Sequence, residues 1–190
     1  MTEAGDSRRD INRGKLLSLL PKGGRGAEVG VWAGDFSARI LDIAAPRELH
    51  LVDPWEFMPE FPRTGFGREQ NSGKMDEMHA AVRTRFADDP RVVIHRARSE
   101  AALATFDDGY LDWIYIDGNH HAPFVDRDIE LAQMKVRADG IIAGDDYLWR
   151  DGGALPVKTA VDRLVASLAK NGAFTRFGQQ WLVMRSAQPV

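Results

Sequence analysis

The sequence predicts an α/β fold built on a mostly parallel sheet with helices on both faces. Short apolar runs alternate with segments of helical period about five times, and this alternation is typical of right-handed βαβ units. The apolar runs are nearly continuous, which indicates strands that are covered on both faces. Because the 190 residues contain no linker and no repeat, we expect a single domain over residues 1–190.

The predicted elements follow one another in this order with one long interruption. Extended segments are predicted at 27–32, 48–53, 91–97, 110–117, 140–146, 174–177 and 180–185. Helices are predicted at 35–44, 74–86, 122–136 and 157–172. The last two extended segments form a hairpin-like pair.

Composition excludes several classes of function. A net charge of −3 gives no attraction to a polyanion, so we expect no nucleic-acid partner. Cysteine is absent, which excludes disulfides and thiolate chemistry and agrees with a reducing cytoplasm. The polar N-terminus lacks a signal-peptide core, and no apolar run approaches the roughly 20 residues of a membrane span. We therefore expect a cytoplasmic protein with no membrane partner.

Residues 1–25 are predicted to form an N-terminal helical segment at the periphery. This segment carries Arg8, Arg9, Arg13 and Lys15, and acidic residues dilute the positive charge. Mixed charge of this kind is usually a solvated surface. We therefore expect these basic side chains to lie in solvent rather than to form a binding patch.

Residues 54–73 interrupt the alternation with a stretch rich in proline, glycine and aromatic residues. The stretch is longer than a usual connection between a strand and a helix. Long loops at the carboxyl edge of an α/β sheet commonly cover ligands, so we predict an active-site lid. The alternative is a surface excursion whose aromatic side chains pack locally or form the contact of a homodimer.

A glycine-bearing turn follows the first strand and has the pattern E-x-G-x-x-x-G, with Glu28, Gly30 and Gly34. Glycine permits a tight turn and the close approach of a ligand, but the pattern is neither the dinucleotide fingerprint nor a P-loop. Asp53 ends the next strand, about 20 residues further on, where an acid can bind both hydroxyls of a ribose. Its alternative role is a turn aspartate before Pro54. Together the two features favour a cofactor that contains a nucleoside.

Three aspartates end two later strands: Asp117, and the adjacent pair Asp145 and Asp146. Carboxylates without sulfur ligands favour a hard cation, Mg²⁺ above all, with Mn²⁺ or Ca²⁺ as alternatives. The pair by itself is more typical of a turn cap. The acid at the corresponding end of the preceding strand shifts the balance to a metal site.

Two histidines, His120 and His121, lie just beyond Asp117. A histidine close to a metal-binding acid suits proton abstraction at neutral pH. The alternatives are a zinc ligand or a loop histidine without a role. His50, His79 and His95 lie inside predicted strands and a helix, so we expect them to pack or face the surface.

Five stretches resemble class I S-adenosylmethionine-dependent methyltransferases, specifically the metal-dependent O-methyltransferases that act on macrolide-type sugar hydroxyls. These stretches run in family order over residues 27–186: AEVGVWAGDFS, LHLVDPW, RARSEAAL, DWIYIDGNHHAPFVDRDIELAQMKVRADGIIAGDDY and RFGQQWLVMRS. The fourth is the most specific, whereas the glycine turn matches many Rossmann-like proteins. The resemblance implies a doubly wound, three-layer αβα fold around a seven-stranded sheet with an antiparallel last strand.

The resemblance also implies where S-adenosylmethionine, Mg²⁺ and a small-molecule acceptor bind. Glu28 is expected at the methionine end, Asp53 at the ribose hydroxyls and Ser99 beside the adenine. The residues expected to line the cofactor are Glu28, Gly30, Gly34, Ser37, Asp53, Ser99 and Asp117. The residues expected to hold Mg²⁺ are Asp117, Asp145 and Asp146. In the implied reaction Mg²⁺ chelates two vicinal hydroxyls of the acceptor, and His120 takes the proton.

The chain departs from the resemblance at its start, since only about 25 residues precede the first strand and sugar-modifying members usually carry longer helices there. We therefore expect an acceptor pocket that is more open or is built mainly by residues 54–73. Three alternatives stay open. They are another nucleotide-dependent Rossmann enzyme such as an oxidoreductase, a degenerate methyltransferase fold kept for binding, and a metal-independent methyltransferase. Sensitivity to EDTA separates the last alternative from the metal-dependent reaction.

Overall fold

The computed structural model describes residues 7–168 and 172–186. The strands are β1 (Arg25–Val29), β2 (Glu48–Asp53), β3 (Val92–Arg96), β4 (Leu111–Ile116), β5 (Val136–Gly144), β6 (Gly172–Phe177) and β7 (Gln180–Arg185). The helices are α1 (Arg8–Leu17), α2 (Asp35–Ile43), α3 (Met75–Arg85), α4 (Ser99–Leu103), α5 (Ala122–Lys135) and α6 (Pro156–Ser167), with a 3₁₀ turn at Glu69–Asn71. Of the helices in these ranges, none has the length and apolar character needed to cross a membrane.

The seven strands form one sheet in the order β3-β2-β1-β4-β5-β7-β6. Strands β1 to β5 pair in parallel, whereas β7 runs antiparallel to both β5 and β6. This arrangement confirms the predicted doubly wound fold with a reversed last strand. The order reverses between β1 and β4, so a crevice opens beyond their carboxyl ends.

Both faces of the sheet are buried, as the nearly continuous apolar strands predict. One core packs strand side chains such as Ile114 and Ile142 against α4, α5 and α6. The other packs strand side chains such as Trp113 and Tyr115 against α1, α2 and α3. Helix α1 contributes Leu16 and Leu17, both fully buried. The N-terminal helix is therefore part of the fold and not a loose extension.

The element boundaries depart from the predictions at a few points. Strand β5 begins at Val136, four residues before the predicted 140, because Val136 pairs with Leu111 across a register shift. The short helix α4 was not predicted, since its five residues carry too little periodicity. Helix α6 ends at Ser167 and not at the predicted 172, since Gly172 begins β6; the part of the prediction at 169–171 lies outside the described residues.

Candidate active site

The candidate active site is a cavity of about 640 Å³ at the carboxyl ends of the parallel strands. Its walls come from the glycine turn after β1, the loops after β2 and β4, the start of α4 and the side of α1 that carries Arg9 and Arg13. Among the predicted site residues, Gly34, Ser37 and Asp145 lie behind this lining, and the others line it. The lining residues from the predicted set are Glu28, Gly30, Asp53, Ser99, Asp117, His120 and Asp146.

The glycine turn requires glycine at the two positions that the motif names. Gly30 has φ +89°, and a Cβ at this position would lie 2.2 Å from the carbonyl oxygen of Asp117. Gly34 has φ +78° and caps the N-terminus of α2. Both are left-handed conformations that side chains rarely adopt. The turn therefore brings the ends of β1 and β4 into direct contact.

Glu28 is a buried acid without a cationic partner among the described residues. It lies inside β1 and is 1% exposed, and its Oε2 accepts a hydrogen bond from the hydroxyl of Ser37 in α2. Burial raises the pKa of Glu28 to about 8, although the Ser37 hydrogen bond lowers it. Glu28 therefore holds a proton at pH 7 until a positive charge approaches it.

Asp53 holds the glycine turn in the free protein. Its Oδ2 accepts the backbone N–H groups of Val31 at 2.9 Å and Trp32 at 3.0 Å, and its Oδ1 accepts that of Trp55 at 2.7 Å. Burial raises its pKa even though these hydrogen bonds oppose the shift. Asp53 thus acts as a turn aspartate, the alternative role predicted for it. A bound ribose would have to share its two carboxylate oxygens with these backbone N–H groups.

The same region holds two acidic residues that sequence reasoning missed, Glu56 and Asp128. Glu56 and Arg98 form an ion pair at 3.0 Å and both line the cavity. Ser99 Oγ donates to Asp128, a residue of α5 that is only 3% exposed and also lines the cavity. Burial raises the pKa of Asp128 to about 7. The sequence signal that could have indicated Asp128 is its position, as an acid, on the inward face of the predicted 122–136 helix.

The acid cluster consists of Asp117, Asp145 and Asp146, as the strand ends predict, and His120 lies beside it. His120 Nε2 lies 3.2 Å from Asp146 Oδ2 and 3.6 Å from Asp117 Oδ1. Burial lowers the pKa of His120, but the hydrogen bonds and charges of the two aspartates outweigh it and raise the pKa to about 9. Asp117, His120 and Asp146 each offer a ligand atom within 4.8 Å of the others. Asp145 does not belong to this group.

Asp145 is instead bound to two arginines of α1. This corrects the prediction for Arg9 and Arg13, whereas Arg8 and Lys15 are exposed as predicted. Arg9 Nη2 lies 2.6 Å and Arg13 Nη2 lies 2.8 Å from Asp145 Oδ2, and Arg13 also reaches Asp117 Oδ2 at 2.6 Å. The prediction was wrong because the two residues are four positions apart and share one face of the helix. Burial opposes ionisation of Asp145, but Arg13 and Arg9 lower its pKa overall.

Several of residues 54–73 line the cavity, and the loop extends to the segments that follow β4 and β5. The ring of Phe61 packs on His121 with centroids 4.6 Å apart and on Phe124 at 5.5 Å. Arg63 pairs with Asp151 at 2.6 Å. The loop thus contacts the segments after both β4 and β5, and its role as an active-site lid stays a prediction.

The three remaining histidines pack within the fold. His50 Nδ1 lies 2.9 Å from His95 Nε2, and the ring of His79 packs on Trp55 with centroids 4.8 Å apart. Burial lowers the pKa of all three. They agree with the prediction of packing residues outside the site.

Comparison with known proteins defines the class of this chain. A family model described as "Methyltransferase domain" matches residues 27–147, which is well over half of the chain. The chain therefore belongs to this methyltransferase family, and it is an S-adenosylmethionine-dependent methyltransferase. No curated protein sequence matches the chain.

Solved structures share the fold at low sequence identity. The O-methyltransferase NovP has a TM-score of 0.65 and 19% identity, covering 95% of this chain and 80% of its own. TomG from Streptomyces achromogenes, an O-methyltransferase of tomaymycin synthesis in complex with SAM, has a TM-score of 0.60 and 18% identity over 93% and 80%. A putative rRNA methylase from Clostridium thermocellum reaches 0.65 at 10% identity over 97% and 98%. At such identities the likeness concerns the fold alone.

Proposed function

We propose that the protein transfers a methyl group from S-adenosylmethionine to a hydroxyl of a small molecule. The observation that carries this proposal is the position of His120, which lines the cavity beside the glycine turn and is oriented by Asp117 and Asp146. NovP and TomG, which are O-methyltransferases, support the choice of oxygen as the acceptor.

The cofactor would extend along the carboxyl ends of β1, β2 and β4. Glu28 is proposed to receive the ammonium group of the methionine end, since a positive charge there would ionise a buried acid that is otherwise protonated. Asp53 is proposed to bind the ribose hydroxyls and Ser99 to lie beside the adenine. Gly30 and Gly34 permit the close approach of the cofactor to the backbone.

Methyl transfer then needs an attacking oxygen in line with the sulfonium methyl group. A bond forms between the acceptor oxygen and the methyl carbon, the bond between carbon and sulfur breaks, and S-adenosylhomocysteine leaves. His120 takes the hydroxyl proton on the ring nitrogen Nδ1, because Nε2 donates to the aspartates that orient the ring, and such a base typically contributes about 10²–10⁴ in rate. Because the pKa of His120 is about 9, the rate is expected to rise with pH up to that value. Positioning of the two reactants supplies much of the rest.

The predicted Mg²⁺ does not fit the three predicted aspartates as the structure arranges them, although Asp117, His120 and Asp146 each offer a ligand atom within 4.8 Å of the others. Asp145, one of its three expected ligands, already accepts hydrogen bonds from Arg9 and Arg13. A divalent cation would supply Lewis-acid activation of the hydroxyl, but it would have to displace these guanidinium groups. No step of the proposed reaction therefore passes through a metal.

The acceptor is proposed to be a small aromatic or otherwise flat molecule that carries one reactive hydroxyl. Aromatic side chains line the cavity around His120, namely Phe66, Phe124 and Trp149. Without a chelating metal, a vicinal diol has no special advantage, which favours a phenol over a sugar. The net charge of −3 still argues against a nucleic-acid acceptor. A homodimer, a cytoplasmic location and a role in secondary metabolism stay predictions.

Calorimetric titration with S-adenosylmethionine tests the cofactor site first. Wild type is expected to bind in the micromolar range, and Asp53→Asn and Glu28→Gln are expected to weaken binding at least tenfold, or about 1.4 kcal/mol. Thr105→Val, two residues beyond the end of α4 and outside the cavity lining, serves as a control and should bind like wild type. A wild type that binds no cofactor would rule the proposal out.

A screen of phenols and hydroxylated heterocycles would follow, with S-adenosylhomocysteine formation as the readout. His120→Gln should lower kcat by about 10²–10⁴ while the affinity for S-adenosylmethionine stays unchanged. Equal turnover in wild type and His120→Gln would remove His120 from the mechanism.

A further inference from the structure

We propose that Arg9 and Arg13 take the place of a divalent cation at the acid cluster of Asp117, Asp145 and Asp146, so that the enzyme needs no metal. Carboxylates that converge in a poorly solvated site repel one another unless a positive charge lies among them. The structure supplies that charge from α1. The inference uses the proposed function for the reaction, but not for the binding measurement that tests it.

Asp145 shows why a cation and the arginines exclude each other. Its side chain is fully buried, and its Oδ2 accepts from Nε and Nη2 of Arg9 at 3.0 and 2.6 Å and from Nε and Nη2 of Arg13 at 3.2 and 2.8 Å. The other oxygen, Oδ1, accepts the backbone N–H of Asp146 at 2.7 Å. A metal would need an oxygen at about 2.0–2.1 Å for Mg²⁺. Oδ2 has no such freedom while the guanidinium groups stay, and Oδ1 already accepts one backbone hydrogen bond.

The guanidinium group of Arg9 occupies the centre of the cluster. Its Nη2 lies 2.6 Å from Asp145 Oδ2, 3.7 Å from Asp146 Oδ2 and 4.0 Å from Asp117 Oδ2. A single nitrogen is therefore close to all three carboxylates that the sequence assigned to Mg²⁺. Arg13 completes the arrangement by bridging Asp145 and Asp117 at 2.8 and 2.6 Å.

The arginines are fixed in place by the packing of α1. The hydroxyl of Ser7 caps the helix by accepting the backbone N–H of Asp10, and Asp10 pairs with Arg39 of α2 at 2.7 Å. The guanidinium carbon of Arg13 lies 4.4 Å from the ring centroid of Phe36, a distance typical of a cation–π contact. Two leucines at the other end of α1 are fully buried, as described above. The positive charge of Arg9 and Arg13 is thus held at the acid cluster by the packing of α1.

Binding of Mn²⁺ to the cofactor-free protein, followed by electron paramagnetic resonance, tests the inference directly. Wild type is expected to show no saturable site with free Mn²⁺ up to about 1 mM. The double variant Arg9→Met with Arg13→Met is expected to gain one site with an affinity at least tenfold tighter than that limit. Arg8→Met makes the same chemical change on the exposed side of α1 and should behave like wild type.

Two results would overturn the inference. The first is a wild type that binds one Mn²⁺ at micromolar concentration, because the arginines would then yield to the metal. The second is a folded double variant that binds no Mn²⁺, because the arginines would then not be what excludes it. If circular dichroism shows that the double variant is unfolded, the double variant Arg9→Gln with Arg13→Gln, which removes both charges but keeps polar side chains beside the carboxylates, decides by the same criteria.

The test separates this inference from the proposed function. Mn²⁺ binding requires neither an acceptor nor S-adenosylmethionine, so it gives an answer even if the protein methylates no hydroxyl. Once an acceptor is found, turnover by wild type should be unchanged in EDTA. Turnover that EDTA abolishes and Mg²⁺ restores would leave O-methylation intact and reject the metal-free mechanism.

Discussion

The two halves of the site treat their buried carboxylates differently. In the cofactor half, Glu28 and Asp53 meet only neutral donors, a hydroxyl and backbone N–H groups. In the acid half, Asp117 and Asp145 meet the full charges of Arg9 and Arg13. S-adenosylmethionine brings two positive charges, its ammonium and its sulfonium. The half proposed to receive this cationic ligand leaves its acids uncompensated. The half proposed to receive a neutral hydroxyl holds positive charges beside its acids, although burial still raises the pKa of Asp117.

The largest expected effect tests the uncompensated acid. The folded pKa of Glu28 is about 8 against an ordinary value of 4.5, so the folded protein keeps a proton that the unfolded chain releases. Stability should therefore fall as the pH rises from about 4.5 to about 8 and then stay level. Glu28→Gln keeps the acceptor for Ser37 and removes this loss. At pH 8 it should be more stable than wild type, by on the order of 4 kcal/mol at most.

Urea unfolding of wild type and Glu28→Gln at several pH values measures this difference. Asp128 titrates in the same direction, with a folded pKa of about 7, but it is present in both proteins and cancels in the comparison. A difference that is constant from pH 5 to pH 8 would mean that Glu28 is ionised in the free protein. The contrast between the two halves would then disappear.

The next effect tests the compensated acids. Arg13→Met removes a guanidinium group that is only 16% exposed and leaves Asp145 with Arg9 alone. Breaking a buried ion pair from one side costs about 3–5 kcal/mol, and the remaining arginine places the expected loss near the lower limit. Arg9→Met removes a half-exposed group, so solvent screening reduces its expected cost to about 1 kcal/mol.

Chemical denaturation at pH 7 with an unchanged m-value distinguishes the two arginine variants. Equal losses for both would show that exposure does not decide the strength of these pairs. Arg13→Lys is informative as well, because a lysine keeps the charge without the bidentate geometry. It should recover part of the stability that Arg13→Met loses.

A backbone change gives an effect of intermediate size in the cofactor half. Gly30→Ala places a Cβ 2.2 Å from a carbonyl oxygen at φ +89°, so we expect a loss of about 2–3 kcal/mol together with loss of S-adenosylmethionine binding. Gly152→Ala has φ +58° and open space around the new Cβ. It should cost only about 1 kcal/mol. Similar losses at both sites would mean that the close contact with β4 relaxes easily.

The contacts of the proposed cofactor half could be predicted more fully than those of the acid half, because its partners are closer in sequence. The glycine turn and Asp53 lie within about two dozen residues of each other, so periodicity and strand ends suffice to bring them together. Arg9 and Asp145 are separated by 136 positions. No local pattern states that the helix before the first strand docks at the end of β5. The charged run on α1 therefore looked solvated, although its partners were themselves predicted.

The fold itself followed from patterns that do not depend on such distant pairing. Alternation of strands and helices fixed the parallel sheet, and the resemblance supplied the reversed last strand. Boundaries failed where tertiary pairing extends an element, as at Val136. Asp128 was missed because its partner, Ser99, lies 29 positions away. A single acid on an apolar helix face does not identify such a distant partner.

The smallest expected effect concerns residues 54–73, the predicted lid, part of which lines the cavity. Arg63 and Asp151 are both exposed, so Arg63→Met should change global stability by less than about 0.5 kcal/mol. Phe61→Ala removes ring contacts with His121 and Phe124 and should loosen the loop more. Amide hydrogen exchange over residues 54–73 measures this, with faster exchange expected in Phe61→Ala than in Arg63→Met and no change in the β strands. If cofactor binding slows exchange equally in wild type and Phe61→Ala, the aromatic contacts do not hold the loop closed.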